Sequence, residues 1–245
     1  MQTKMPNIFK KLADILRHVP FLNTILKPIY HKLGRHYSNN RFMALHTNGI
    51  RVLQEFDKAL AGANIPYSVY AGTLLGAIRE KGILKHDFDI DTAVFAEQDY
   101  NKVRRALENS GFTLLRYFEV DNSKSGREET YCKDGVDIDI FYIYRDENGI
   151  TYNCDFHPIQ GTRDLYDSMR KHGRVGVRKC ELPVSQCVVR APFDDIYVNV
   201  LVNADEWLKA RYGVNYMVPD PNFKDTGREK NIYEWTSVMA TFNTL

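Results

Sequence analysis

Four aspartates in two short alternating runs, Asp89-Ile90-Asp91 and Asp137-Ile138-Asp139, are the residues of this chain whose type and spacing point most directly to chemistry. In an extended strand, side chains at i and i+2 share a face. Each run therefore sets two carboxylates side by side and turns the intervening isoleucine the other way. Carboxylates held like this repel one another, and a hard divalent ion with oxygen ligands relieves the repulsion. A single Asp-x-Asp pair would equally suit the solvated face of an edge strand. The second run, Val136 to Phe141, adds a third carboxylate from a neighbouring strand and favours a site.

The elements around the first run follow from its flanks. Tyr67 to Ala71 reads as a strand, since its β-branched and aromatic residues lie between Pro66 and Gly72. Thr73 is expected to cap a short helix over Leu74 to Arg79, leaving backbone N–H groups at the helix start for an anionic phosphate. The Lys81-Gly82 turn then leads to a second strand, Phe88 to Phe95, with Phe88 and Ile90 turned into the core.

Gly72-Thr73-Leu74-Leu75-Gly76-Ala77-Ile78-Arg79, the Lys-Gly turn and the run from His86 to Asp91 resemble the signature of the LicD/fukutin family, a branch of the nucleotidyltransferase-fold superfamily. That family's acidic run ordinarily carries Trp where His86 stands and Asp where Phe88 stands, while Asp89 and Asp91 keep the metal-ligand positions. Asp139-Ile140-Phe141 resembles its Asp-hydrophobic-Phe strand, and Trp207 to Pro219 resembles its C-terminal ending. The resemblance covers roughly Arg41 to Pro221.

The resemblance implies a nucleotidyltransferase-like α+β fold and a transferase. It would move phosphocholine, a polyol phosphate or a similar group from a CDP-linked donor to a hydroxyl of a cell-surface glycan or a lipid-linked precursor. Asp89, Asp91 and Asp139 are the expected catalytic and metal-binding residues, with Mg²⁺ as the ion and Mn²⁺ as a substitute. Asp139 is also placed to accept the proton of the acceptor hydroxyl. Gly72 and Thr73 are expected to let the backbone approach a phosphate, Arg79 to bind one or to brace the acidic strand, and Asp137 to reach the substrate from the face it shares with Asp139. Two other readings stay open. One is a nucleotidyltransferase that leaves a nucleoside monophosphate on a small-molecule or protein hydroxyl; the other is a non-catalytic scaffold in glycan assembly.

At 245 residues and 44% hydrophobic content the chain can bury one sizeable core. The expected division is a basic amphipathic helical segment over residues 1–40 and a catalytic α+β domain over 41–245, a mixed β-sheet flanked by helices. Residues 1–41 hold eight Lys or Arg and one acid, Asp14, leaving 25 bases against 30 acids in the remainder. A net-negative catalytic region is poorly suited to a polyphosphate backbone, so nucleic acid is not an expected partner.

Ile8, Phe9, Leu12, Ile15, Leu16 and Val19 recur at helical spacing opposite bases, and a similar stretch follows Pro20. This suits an interfacial anchor on an anionic membrane surface, or an arm packed on protein. With no run of eighteen apolar residues and no signal-like N-terminal core, the expected location is cytoplasmic, peripheral at the inner face of the cell membrane if the segment is an anchor. The four cysteines lack Cys-x-x-Cys spacing and are expected to be reduced thiols.

Further along, helices are predicted over Arg41 to Leu60, ending at Gly62-Ala63-Asn64, and over Glu97 to Ser110. Strands are predicted over Phe112 to Val120, Glu128 to Cys132, Val136 to Tyr144 and Ile150 to Asn153. Residues 155–187 give no clear element. Their His157, Arg163, Arg170, Lys171, His172 and Arg174 suit either a phosphate grip or a solvated basic surface.

Overall fold

The computed structural model of the chain describes residues 23–220 and 231–245, with side chains described from residue 39 onward. The acidic second run lies on the longest strand, β5 (Val136–Arg145), because its apolar residues alternate with polar ones over its first half and turn one side inward. Around β5 assemble β1 (Ser68–Val69), β2 (Ile90–Phe95), β3 (Thr113–Val120), β4 (Gly126–Lys133) and β6 (Thr151–His157), all in one nine-stranded sheet. The sheet is completed by β7 (Gly176–Glu181) and, with β8 (Val188–Phe193) and β9 (Ile196–Leu201) set apart as a separate hairpin, by β10 (Ile232–Glu234) and β11 (Ala240–Thr244). Its path runs β10-β7-β6-β5-β4-β3-β11, with β2 pairing parallel to β5 and β1 antiparallel to β2. The fold is thus α+β with a mixed sheet, as expected.

One face of the sheet is covered by α1 (Asn23–Gly62) and α3 (Tyr100–Asn109). Leu45, Val52, Leu53, Phe56 and Leu60 fall on one stripe of α1 and are fully buried; against them lie Val136, Ile138, Ile140 and Tyr142 of β5. Each such side chain contributes about 1.5–3 kcal/mol of burial free energy to the fold. The same face holds a buried ion network. Glu129 accepts hydrogen bonds from Arg127 and from the Tyr131 and Tyr142 hydroxyls, while the Arg127 guanidinium lies 4.0 Å from the Tyr100 ring centroid. The other face carries α2 (Ala71–Arg79) and α5 (Ala204–Tyr212), while the β8–β9 hairpin lies beside β1 and touches both α1 and α2. There Trp207 Nε1 donates to the Tyr70 hydroxyl, which donates to Asn153, fixing α5 over the strand-to-helix turn. Beyond β5 a second cluster, including Phe118, Cys154, Val177 and Phe242, lies where β3, β6, β7 and β11 meet, with α4 (Leu165–His172) against it.

The helix predicted over Arg41 to Leu60 ends at Gly62 as expected but begins at Asn23, so it crosses 40/41 without a break. The earlier part of the amphipathic pattern, ahead of Asn23, lies outside the described residues. The helix predicted from Glu97 starts at Tyr100, because the Asp99 side chain accepts the Asn101 N–H and caps it. Residues 155–187, which gave no element, hold the end of β6, α4 and β7. All four cysteines are free thiols, with Cys154 and Cys180 buried.

Candidate active site

The strand-to-helix junction after β1 is strained: Ala71 takes φ 39°, a left-handed conformation uncommon for a residue with a Cβ. That turn aims the start of α2 at the acidic run. The Gly72 N–H donates to Asp91 Oδ2 at 2.9 Å, and the Thr73 hydroxyl accepts the Asp91 backbone N–H at 2.9 Å. The anion at this helix start is therefore the protein's own carboxylate. A Cβ at Gly72 would stand 3.2 Å from Asp91 Oδ2 and 3.5 Å from Asp87 Oδ2, so glycine lets the two acids approach the turn.

Two expectations are corrected here. Thr73 does not cap α2: the capping position is Tyr70, with no side-chain cap bond, and Thr73 sits inside the helix, its hydroxyl engaged by the strand. Phe88 does not point into the core. It precedes β2, is 42% exposed, and its ring packs 5.8 Å from that of Phe42 on α1.

The parallel pairing of β2 with β5 makes Asp91 and Asp139 direct partners and brings the two acidic runs onto one face. Asp139 faces Thr130 on β4, whose hydroxyl donates to Asp139 Oδ1 and in turn accepts from Arg116 Nε of β3 at 2.9 Å. Asp89, half exposed just before β2, and Asp137, buried on β5, both meet Arg41 of α1. Burial, and after it the charges of Asp89 and Asp139, push the Asp91 carboxyl well above the ordinary range. Burial likewise raises Asp139 to about 6, against the opposing Arg116 charge, and Asp87 to about 6. Burial is the main cause at all three, and only at Asp91 do neighbouring acids follow it directly.

Arg79 donates to Glu80 and to the Tyr216 carbonyl, and its charge lowers the Asp87 carboxyl against the effect of burial. Of the basic residues in 155–187, Arg163, Arg170 and Lys171 converge on the buried carboxylate of Asp167, and His157 pairs with Glu234. The sequence reading missed Glu128, whose carboxyl burial and the Asp139 charge push well above the ordinary range. It pairs across from Phe141 and so shares the Asp139 face; the two-residue spacing Glu128-x-Thr130 on a predicted strand was the available signal. Asp87 continues the two-residue spacing of Asp89 and Asp91 within the run already singled out, whereas Arg116 and Arg41 carried no comparable local signal.

Among the described residues, no three His, Cys, Asp or Glu side chains stand as a ready-made metal cage. The donor set still fits Mg²⁺, which keeps several waters and is commonly held by one or two carboxylates together with substrate phosphates. Partly accessible oxygen donors that repel one another meet that requirement.

Residues 64–173 match a family described as LicD/FKTN/FKRP, nucleotidyltransferase domain. The ribitol-5-phosphate transferase FKTN of Macaca fascicularis is 24% identical over 210 residues, 82% of this chain and 41% of its own length. The Homo sapiens protein of the same name is 23% identical over 210 residues, with the same 82% and 41% coverage. An uncharacterized protein of Caenorhabditis elegans is 36% identical over 107 residues, 41% of this chain and 28% of that protein. The chain spans about two fifths of the length of the two named transferases. The matched segment encloses the strained turn, α2 and both acidic runs. Over residues 64–173, the stretch that carries the candidate site, this chain is similar to the LicD/fukutin family.

Proposed function

We propose that this protein is a divalent-cation-dependent transferase with a nucleotidyltransferase-like core. It would move a phospho-substituent, such as ribitol phosphate or phosphocholine, from a CDP-activated donor to a hydroxyl of a glycan or glycolipid precursor. The observation that carries this reading is the pairing of Asp91 with Asp139 on adjacent parallel strands, with Asp91 held by the Gly72 N–H. The named relatives are ribitol-5-phosphate transferases, which supports the class of group moved.

Asp91 and Asp139, with Asp89 at the edge, would hold Mg²⁺ or Mn²⁺. Such an ion, when bound, neutralises charge on the donor phosphates and on the departing nucleotide. The protein's own residues supply positioning. Gly72 and Thr73 fix Asp91 from two sides, and Thr130, braced by Arg116, fixes Asp139. Asp139, raised to about 6, is suited to accept the acceptor hydroxyl's proton near neutral pH. Gly72 and Thr73 act here through Asp91, and Asp137 through Arg41, so none of the three is assigned a direct contact to substrate.

The family description as a nucleotidyltransferase domain favours one second reading, transfer of the nucleoside monophosphate itself. The test is incubation with a panel of CDP-alcohols, candidate glycans and Mg²⁺, followed by mass spectrometry. CMP release with an acceptor gaining the alcohol phosphate supports the proposal. An acceptor that gains a nucleoside monophosphate supports the second reading, and no Mg²⁺-dependent product across the panel counts against both. A cytoplasmic site of action at an anionic membrane surface belongs to the same proposal and is checked by sedimentation of the full chain with anionic and neutral vesicles. Among the described residues, no helix is long and apolar enough to cross a membrane.

A further inference from the structure

Besides Arg116, which reaches Asp139 through Thr130, the acidic cluster is met by a cation paired directly with its carboxylates. Arg41 Nη2 lies 3.1 Å from Asp89 Oδ2 and 3.1 Å from Asp137 Oδ2, so a single nitrogen bridges the segment before β2 and the start of β5. The Arg41 side chain is only a quarter exposed. Its backbone belongs to α1, where Leu45, one turn on, is fully buried in the core. The neighbouring Phe42 packs its ring against Phe88, so α1 holds the Asp89 segment twice, by charge and by an aromatic contact. Arg41 also offsets the burial that raises the Asp137 carboxyl.

We infer that Arg41 is the resident counter-cation of this cluster and competes with the divalent ion for Asp89, so that helix α1 sets how much cation the site requires. This rests on the proposed metal role of Asp89 and Asp91. Arg41 binds the Asp89 carboxylate that the ion would use, and its fixed positive charge raises the cost of bringing a second cation close. Without Arg41, the ion would meet an undiminished acidic field and an Asp89 with no competing partner. The paired aspartates would then be unbalanced until the ion arrives.

The test is calorimetric titration of the intact protein with Mn²⁺, alongside melting temperatures with and without Mn²⁺, for wild type, Arg41→Gln, Arg41→Lys and Asp91→Asn. Arg41→Gln should bind Mn²⁺ about tenfold more tightly, the scale expected for removing one nearby charge at a partly exposed site. Arg41→Lys, which keeps the charge, should stay near wild type. Arg41→Gln should also melt lower without Mn²⁺ and gain more from it than wild type does. Mn²⁺ binding that depends on Asp91 but is equal or weaker in Arg41→Gln overturns the inference and leaves the metal assignment standing. No Asp91-dependent binding in either wild type or Arg41→Gln overturns the metal assignment, and the inference with it. Should Arg41→Gln unfold without cation, refolding in Mn²⁺ becomes the readout: recovery supports the resident-cation role and failure to recover overturns it.

Discussion

Asp91 on β2 and Asp139 on β5 are direct partners across a parallel strand pair, and the Thr92 hydroxyl, 47 positions earlier in the chain than Asp139, donates to the Asp139 carbonyl. Replacing either acid by Asn keeps a side-chain acceptor but removes a charge the proposed ion requires. Asp91→Asn and Asp139→Asn should each lower turnover by at least about 100-fold, with melting temperatures no lower than wild type in the absence of cation. Asp137→Ala, which touches Arg41 and not the Asp91–Asp139 pair, should be much less damaging than Asp139→Ala. The reverse order in steady-state assays would move the centre of the site to Arg41 and Asp137.

Stability should depend on pH in a defined direction. Asp87 and Asp139 are raised to about 6, so the folded protein binds these protons more tightly than the unfolded chain. Their contribution is complete below the ordinary carboxylate value and is lost as pH rises through about 6. The cation-free protein should therefore melt at a higher temperature near about pH 5.5 than near about pH 7.5, and Mg²⁺ should narrow the difference. Differential scanning calorimetry of wild type and Asp139→Asn checks this, since the variant should show a smaller difference.

The Thr73 hydroxyl, on a buried side chain, is the acceptor for the Asp91 backbone N–H in a partly buried bond. Thr73→Val leaves that N–H unpaired and should cost about 1–3 kcal/mol by denaturant titration, with reduced activity. Thr73→Ser should restore most of both. Little or no loss in Thr73→Val, which keeps the methyl and removes only the hydroxyl, would mean that the hydrogen bond does not matter.

Two glycines of the same helix should respond differently to one added methyl group. Gly72→Ala crowds Asp91 Oδ2 at 3.2 Å, a contact that moves a functional carboxylate, so activity should fall about tenfold or more while stability changes little. Gly76→Ala would drive a Cβ to 2.4 Å from the Gly82 carbonyl oxygen, a backbone atom that cannot step aside, so stability should fall by about 2–4 kcal/mol. Melting curves paired with activity per folded molecule separate the two outcomes.

On the opposite face, Glu129 is fully buried and satisfies Arg127, Tyr131 and Tyr142. Glu129→Ala leaves the Arg127 charge buried without its main partner and should destabilise by about 3–5 kcal/mol in chemical denaturation. A loss below about 1 kcal/mol would show that water replaces the carboxylate at little cost.

The sequence by itself determined the local faces of this protein. Two-residue alternation placed Asp137 and Asp139 together and turned Ile138 and Ile140 into the core, and the stop at Gly62 and the turn at Lys81-Gly82 were legible from residue chemistry. The β5 and β3 spans came close for the same reason. What only the tertiary structure decided was which strands are neighbours and in what register. The Asp91–Asp139 partnership, Glu128 and Arg116 on the acidic face, and Arg41 reaching Asp89 across 48 positions all depend on contacts between distant segments. Phe88 shows the limit sharply: strand alternation predicted a core residue, but β2 begins at Ile90, and a ring just ahead of the strand follows its neighbour Phe42 and not the pleat. Local periodicity constrains the direction of a side chain along its own strand, whereas the charge that surrounds it is set by whatever the folded sheet brings alongside.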